Sequence, residues 1–251
     1  MKRLEGKDIV LTGAAGGIGA LLAERLKAAG ARVTGVDRIA CTGCDEAIVA
    51  DLADEQGLAQ LSDLLAGREV DILVNMAGIQ YFGPFDRQEP ADIRLGYTVN
   101  LIAPATLIRA VLPQMRARGS GQIVNIGSIL GSINYPHFAA YSSAKAGLHA
   151  LSEGLRRELG GLGIDVTYVA PRAVNTGFNN AAVTSFFQLA RMKADAPDAV
   201  AVRIVRAIAQ RRKEVFIGLR EGLLTRVNAV SPRLIDAGLA GQTAKARRLF
   251  S

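Results

Sequence analysis

The sequence predicts an α/β chain of one domain, a doubly wound parallel sheet of about seven strands with helices on both faces. Three observations predict it. Short β-branched runs alternate with longer Ala/Leu-rich stretches of helical period, the pattern of strand–helix units. Those strands are almost continuously apolar rather than alternating, as expected of a parallel sheet buried on both sides. The 251 residues, 49% apolar and 21% charged, carry enough apolar mass for a large core and no Ser-, Gly- and Pro-dense stretch to divide it.

The elements follow in chain order. Strands are predicted at 9–12, 32–36, 47–49, 72–75, 122–126, 165–169 and 215–217. Helical patterns fill the intervals at 17–29, 55–66, 93–116, 141–160 and 198–211. No internal repeat at a solenoid period is found. With 27 glycines against 8 prolines, the chain favours close backbone approaches over rigid linkers. The only uninterrupted apolar run near the N-terminus, 9–11, is too short for a signal peptide or a spanning helix, so a soluble, cytoplasmic protein is expected. In such sheets ligands bind at the carboxyl ends of the strands, which is where chemistry is sought.

The first strand runs directly into Thr12-Gly13-Ala14-Ala15-Gly16-Gly17-Ile18-Gly19 and a helix. Glycines there let the backbone turn tightly and approach a pyrophosphate, whose charge is met by free N–H groups at the helix N-terminus. The position after a first strand makes this a dinucleotide signal of the Rossmann kind rather than a mere tight turn. The second strand ends Val36-Asp37-Arg38. An acid about 20 residues past the glycines holds the adenosine ribose hydroxyls and repels a 2′-phosphate, favouring NAD over NADP. Arg38 pulls the other way, as a cation suited to that phosphate. Asp51, beside Leu52, reads either as a contact to the adenine amino group or as a helix cap.

The chemical groups lie further on. Tyr141 and Lys145, four apart in AAYSSAKAG, share one helical face. A neighbouring ammonium favours the phenolate and is expected to draw the tyrosine down from about 10, making it a general acid/base. Together with the Gly-x3-Gly-x-Gly spacing, Asn75-Met76-Ala77-Gly78 after the fourth strand and Ser128 after the fifth, the chain resembles a short-chain dehydrogenase/reductase of the single-domain branch with a Tyr-x3-Lys active site. The resemblance spans roughly residues 6–217. It implies that Lys145 also binds the nicotinamide ribose, that Ser128 holds the substrate oxygen, and that Asn100 supports a proton relay. It further implies that Pro171, Val174 and Thr176 contact the nicotinamide amide. Arg172 stands where the family has glycine, and it either meets an acidic substrate group or pairs with a local acid. Met76 stands in place of a second asparagine. The implied reaction is NAD(H)-dependent interconversion of a secondary alcohol and a ketone, in a homodimer or homotetramer packed through the helices of Asn100 and Tyr141.

The rest of the chain bears on substrate and partners. The segment 177–195, where the family keeps its substrate loop, is rich in Phe178, Phe186, Phe187, Leu189 and Met192, suiting an apolar or lipid-like substrate or a packed lid. His137 is expected as a wall of the substrate pocket. Cys41 and Cys44 are expected to be two plain thiols, since the two histidines, His137 and His149, are too distant to complete a zinc site. Of the net charge of +7, nearly all lies beyond residue 210, where nine Lys/Arg face three acids. The remainder is close to neutral, which argues against nucleic acid as a partner. In the C-terminal extension, 218–251, Leu219, Leu223, Val227, Val230 and Leu234 recur at helical spacing up to 240, interrupted at Pro232. Such a basic amphipathic segment covers its own cleft, joins subunits, or contacts a membrane surface or an acidic partner. Two alternatives remain: an NADPH-dependent 3-oxoacyl carrier-protein reductase, disfavoured by Asp37 and by Gln122 and Leu162 where docking cations would stand, and a non-catalytic dinucleotide-sensing or membrane-recruited scaffold, which would need no proton relay.

Overall fold

In a computed structural model, which describes residues 4–190 and 192–250, the chain folds around seven parallel strands. They are β1 (Asp8–Thr12), β2 (Arg32–Asp37), β3 (Glu46–Val49), β4 (Ile72–Asn75), β5 (Gly121–Ile126), β6 (Ile164–Ala170) and β7 (Glu214–Phe216). Their order across the sheet is β3-β2-β1-β4-β5-β6-β7. The chain winds outward from β1 to β3 and then returns to β4 on the other side of β1. This reversal opens a crevice between the carboxyl ends of β1 and β4, the expected ligand position in such sheets. The central strands read as predicted: every residue of β4 and β5 is buried.

Helices cover both faces. On one, α1 (Gly17–Ala28) and α7 (Pro197–Ala209) pack Leu22, Leu26, Ile204 and Ile208 against Ile9, Leu11 and Val74. On the other, α2 (Glu55–Ala66) and α4 (Ala103–Arg118) bring Leu61, Leu65, Leu107, Val111 and Met115 onto Val10, Leu73 and Ile123, and α5 (Ala139–Glu158) adds Leu151 and Leu155. Asp54 caps α2 by accepting a hydrogen bond from the Gly57 N–H at 2.7 Å, so the cap is Asp54 and not Asp51.

The helix expected at 93–116 is α3 (Pro90–Tyr97) and α4 joined by one π turn over Thr98–Ile102. A π turn inserts a residue and rotates the following face, a device often found at functional sites. Here the inserted turn carries Asn100, which is fully buried. By length and composition Pro90–Arg118 passes for a membrane span, with an 18-residue stretch of mean hydropathy 1.4. Leu107, Val111 and Met115 nevertheless belong to the sheet's core, as in a soluble protein's central helix.

Three elements differ from expectation. The substrate segment contains a helix, α6 (Ala181–Leu189), capped by the Asn180 side chain. The C-terminal extension forms a hairpin of two helices, α8 (Leu219–Val230) and α9 (Pro232–Arg247), with Pro232 opening the second. Cys41 and Cys44 are joined in a disulfide rather than standing as free thiols. The loop after β2 brings the Cys44 sulfur and the Cys41 Cβ beside Gly35 of β2, where no further Cβ would fit.

Candidate active site

One cleft of about 1240 Å³ runs along the carboxyl ends of the strands, from the Asp37 loop to α9. Its first half is built from backbone. Gly13 stands at φ 72°, and a Cβ there would come within 2.9 Å of the Ala77 backbone. A side chain at Gly19 would overlap the Gly13 carbonyl oxygen. These two glycines let β1, the loop and the segment after β4 close upon one another. Thr12 Oγ1 ties the two strand ends by accepting from the Met76 and Ala77 N–H groups at 3.0 and 3.1 Å. The N-cap of α1 is Gly16, which offers no side-chain acceptor, and no acid stands in the helix's first turn. The leading N–H groups therefore face the cleft without an internal counter-charge, the arrangement an anion needs.

Asp37 closes the loop from the side. Its carboxylate accepts from the Ala15 N–H at 3.0 Å and the Arg38 N–H at 2.7 Å. Gly13, Gly16, Gly17, Ile18, Gly19, Asp37, Arg38, Asp51, Leu52, Ala77 and Gly78 all line this half of the cleft. Asn75 does not. It is buried at the end of β4, where its amide donates to Asn125 Oδ1 at 2.9 Å, and it supports the floor instead of facing a ligand.

The second half is built from side chains. Ser128, at the end of β5, accepts from the Leu130 N–H at 3.1 Å and caps a short 3-10 turn. Tyr141 and Lys145 stand on the first turns of α5, and both are buried. Small neighbours explain their position: the backbone of Lys145 lies within 2.7 Å of where a Cβ on Gly131 would be. Lys145 Nζ donates to the Ile126 carbonyl at 3.1 Å and lies 6.0 Å from the Tyr141 ring centre. Asn100 stands behind the cleft rather than in it. Its amide donates to the carbonyls of Gly96 at 2.9 Å and Ile79 at 2.8 Å, and its Oδ1 accepts from the Ile79 N–H at 3.3 Å. A Cβ on Gly78 would meet Asn100 Oδ1 at 2.9 Å and Lys145 Nζ at 3.5 Å, so both polar groups converge on that glycine.

The electrostatics correct one expectation. Tyr141 is pushed up to about 12, not drawn down, because burial penalises the phenolate more than the hydrogen bond to Ser128 favours it. Lys145 moves down to about 8, also through burial. Two groups expected to help each other's charged forms are both held toward neutrality by the dry site.

Pro171, Val174 and Thr176 line the cleft after β6. Arg172 makes a two-pronged ion pair with Asp195, at 3.0 and 2.6 Å, so its charge is met locally. Phe178, Phe186 and Phe187 also line the cleft, with the Phe178 ring 6.3 Å from that of Tyr141. His137 does not. It sits in a left-handed turn at φ 66°, its ring 5.1 Å from Phe250 and 6.1 Å from Phe82, and burial lowers its pKa. The expected pocket wall is a packing residue among aromatics.

Sequence reasoning missed the wall given by α9. Leu234, Ile235, Gly238, Leu239 and Gln242 line the cleft, with Leu224 from α8. The apolar stripe chosen from the sequence is largely the wrong face: Leu223 is 62% and Val230 88% exposed, while Ile235 is buried beside Ile133 and Tyr168. The side chain of Leu219 lies outside the described residues. The spacing 235, 239, 242, 246 would have found the inward face.

The profile of the short chain dehydrogenase family matches residues 7–185. The chain belongs to that family. It is 33% identical to the ketoacyl reductase HetN of Nostoc sp. over 94% of this chain and 89% of the relative. It is 40% identical to 2,3-dihydroxy-2,3-dihydro-p-cumate dehydrogenase of Pseudomonas putida over 69% and 73%. Among solved structures, a protein assigned as an NAD(P)-dependent gluconate 5-dehydrogenase from Beutenbergia cavernae, holding NADP at low occupancy, superposes with a TM-score of 0.76 and 33% identity, over 85% of this chain and 95% of that one. Members of this family are oxidoreductases that bind a nicotinamide dinucleotide. The fold and family expected from the sequence are thereby borne out.

Proposed function

We propose that the protein reduces a ketone to a secondary alcohol, and runs the reverse, on an apolar or lipid-like substrate, with Tyr141 as general acid/base. The observation that carries this reading is the convergence of Ser128, Tyr141 and Lys145 on one cleft whose other half is a glycine cradle for a dinucleotide. The cradle fits that group: the α1 N-terminus is uncapped, and side chains at Gly13 or Gly19 would fill it.

The roles divide as follows. Gly13, Gly16, Gly17, Ile18 and Gly19 hold the pyrophosphate, Asp37 the adenosine ribose, Asp51 and Leu52 the adenine, and Ala77, Gly78, Lys145, Pro171, Val174 and Thr176 the nicotinamide half. Bound in its reduced form, the dinucleotide supplies the hydride that the carbonyl carbon accepts. The Ser128 hydroxyl donates a hydrogen bond to the carbonyl oxygen and fixes it beside Tyr141. With its pKa near 12, Tyr141 is protonated at neutral pH and hands its proton to that oxygen as the alcohol forms. Lys145 and Asn100, gathered about Gly78, return a proton to the tyrosine from solvent. In the dry site the phenol rests as the acid, the form that protonates a carbonyl oxygen.

Asp37 supports NAD, since its carboxylate would repel a 2′-phosphate. NADP is the second reading, favoured by Arg38 in the same half of the cleft and by the NADP in the gluconate 5-dehydrogenase. Carrier-protein specificity gains nothing from Gln122, which is buried in β5 and bonded to Thr167, and so bears on no docking surface. Assembly through α4 and α5 is supported by a shallow groove that both helices line with Ile108, Leu112, Leu151 and Leu155, edged by Arg109 and Arg116.

The test is the full chain assayed with a panel of ketones and alcohols by absorbance of NADH and NADPH. Carbonyl-dependent oxidation of NADH in preference to NADPH is expected. Absence of turnover with every ketone and alcohol, while a cofactor binds, rejects the reaction; tighter binding of NADPH rejects the NAD preference.

A further inference from the structure

The inner face of α9 is apolar except at one position. Ile235 and Leu239 pack with Ile133, Tyr135 and Tyr168, and Ala246 packs with Phe82, Phe138, Tyr141 and Phe186. Gln242 lies between them on the same face, one turn from Ala246 and so about 6 Å along the helix from the tyrosine's own apolar cluster. It lines the cleft, yet its Oε1 is buried without a hydrogen-bond partner.

An acceptor left in that state costs about 1–3 kcal/mol, so buried amides are nearly always paired. Leucine at 242 would continue the stripe and avoid the cost. The other cleft-lining amides are satisfied: Gln80 donates to Asn179 Oδ1 and to the Phe178 carbonyl, both at 3.0 Å. Tyr135 is likewise engaged. Gln242 thus holds an unpartnered amide oxygen at the wall of a cleft that Leu130, Ile133, Phe186 and Phe187 also line.

We propose that Gln242 is a specificity-determining residue: it accepts a hydrogen bond from a second polar group, a hydroxyl, carried by an otherwise apolar ketone whose carbonyl sits at Ser128 and Tyr141. This rests on the ketone-reductase reading and narrows its substrate class to hydroxylated apolar ketones and the corresponding diols. A site built to pair such a hydroxyl discriminates strongly against analogues lacking it, because the buried amide is then stranded. No covalent step is added, since Gln242 acts by positioning alone.

The experiment pairs methyl ketones of six to twelve carbons with their terminal-hydroxyl counterparts, assayed on the full chain with NADH and NADPH. For the wild type, the hydroxylated member is expected to exceed its plain partner in kcat/KM by about tenfold or more at the best chain length. Gln242→Leu and the volume-matched Gln242→Met should erase that preference, lowering kcat/KM for the hydroxylated series about tenfold more than for the plain one, and raise the Tm of the free protein. Equal handling of the two series by the wild type overturns the proposal. So does a variant that lowers Tm and slows every ketone alike, which marks a structural amide, or one that changes neither, which marks a water-filled site. If no ketone turns over, the reductase reading fails separately, and the anchor is judged by melting with cofactor and 1,8-octanediol or 1-octanol. A larger diol-specific Tm rise in the wild type than in Gln242→Leu upholds it; equal rises overturn it.

Discussion

The two halves of the cleft are made in different ways. The dinucleotide half is local and backbone-built: one strand end, one loop and one helix N-terminus within residues 12–19, closed by the segment after β4. The substrate half is assembled from side chains scattered over α5, α6, α8, α9 and the loops after β5 and β6. The first is rigid because backbone contacts leave no room for a Cβ, whereas the second is held by apolar packing that tolerates exchange of shape. A family can therefore keep its cofactor while changing its substrate.

Substitutions that add volume to the backbone-built half should do the most damage. Gly19→Ala is expected to weaken cofactor binding more than about 100-fold by fluorescence titration, because its methyl overlaps the Gly13 carbonyl. Gly154→Ala, in α5 with open space around it, is the control and should stabilise the fold by about 0.5–1 kcal/mol. If the two variants bind cofactor alike, the cradle is not rigid and the contrast fails.

Next in size is the side-chain half. Phe186→Ala removes a ring with no exposed surface from the cluster under α9 and should cost about 3–5 kcal/mol in urea unfolding. It should raise KM while leaving the cofactor's Kd within about twofold. A matching loss of cofactor affinity would mean that the two halves are coupled.

Burial of the chemical groups predicts a pH signature. Lys145 falls from 10.5 to about 8 on folding, so between those values the unfolded chain still holds a proton that the folded chain has lost. Stability should therefore rise with pH from about 8 to about 10.5, by at most about 3 kcal/mol. Tyr141 acts oppositely above pH 10, where the folded state keeps its proton up to about 12 and stability falls. Lys145→Met should flatten the rise; a wild type with no rise over that range contradicts the dry site. The smallest effect belongs to the Cys41–Cys44 disulfide, whose short loop contributes about 2 kcal/mol or less, read as the shift in urea midpoint on adding a reductant.

This contrast also explains what was legible in the sequence. Sheet, helix order and the glycine cradle are encoded by neighbours in the chain, and β4 and β5 announce their burial by composition. Ser128, Tyr141 and Lys145 lie on single elements whose ends the fold brings to one place. The π turn at Asn100 answers to Ile79, on a loop about twenty positions earlier, while the removal of His137 to an aromatic cluster and the inward face of α9 depend on contacts between residues more than fifty positions apart. The tyrosine's raised pKa was hidden for the same reason: spacing shows that an ammonium is near, but only the packed structure shows how little water reaches either group. The disulfide escaped because pairing depends on how the loop after β2 folds over Gly35.

The most direct test is Tyr141→Phe in the full chain, with turnover and cofactor affinity measured on the same sample. The account predicts that turnover falls by about 10²–10⁴-fold while the Kd for the nicotinamide dinucleotide stays within about twofold, because the lost hydroxyl moves a proton and holds no part of the cradle. Turnover retained within tenfold of the wild type would contradict it.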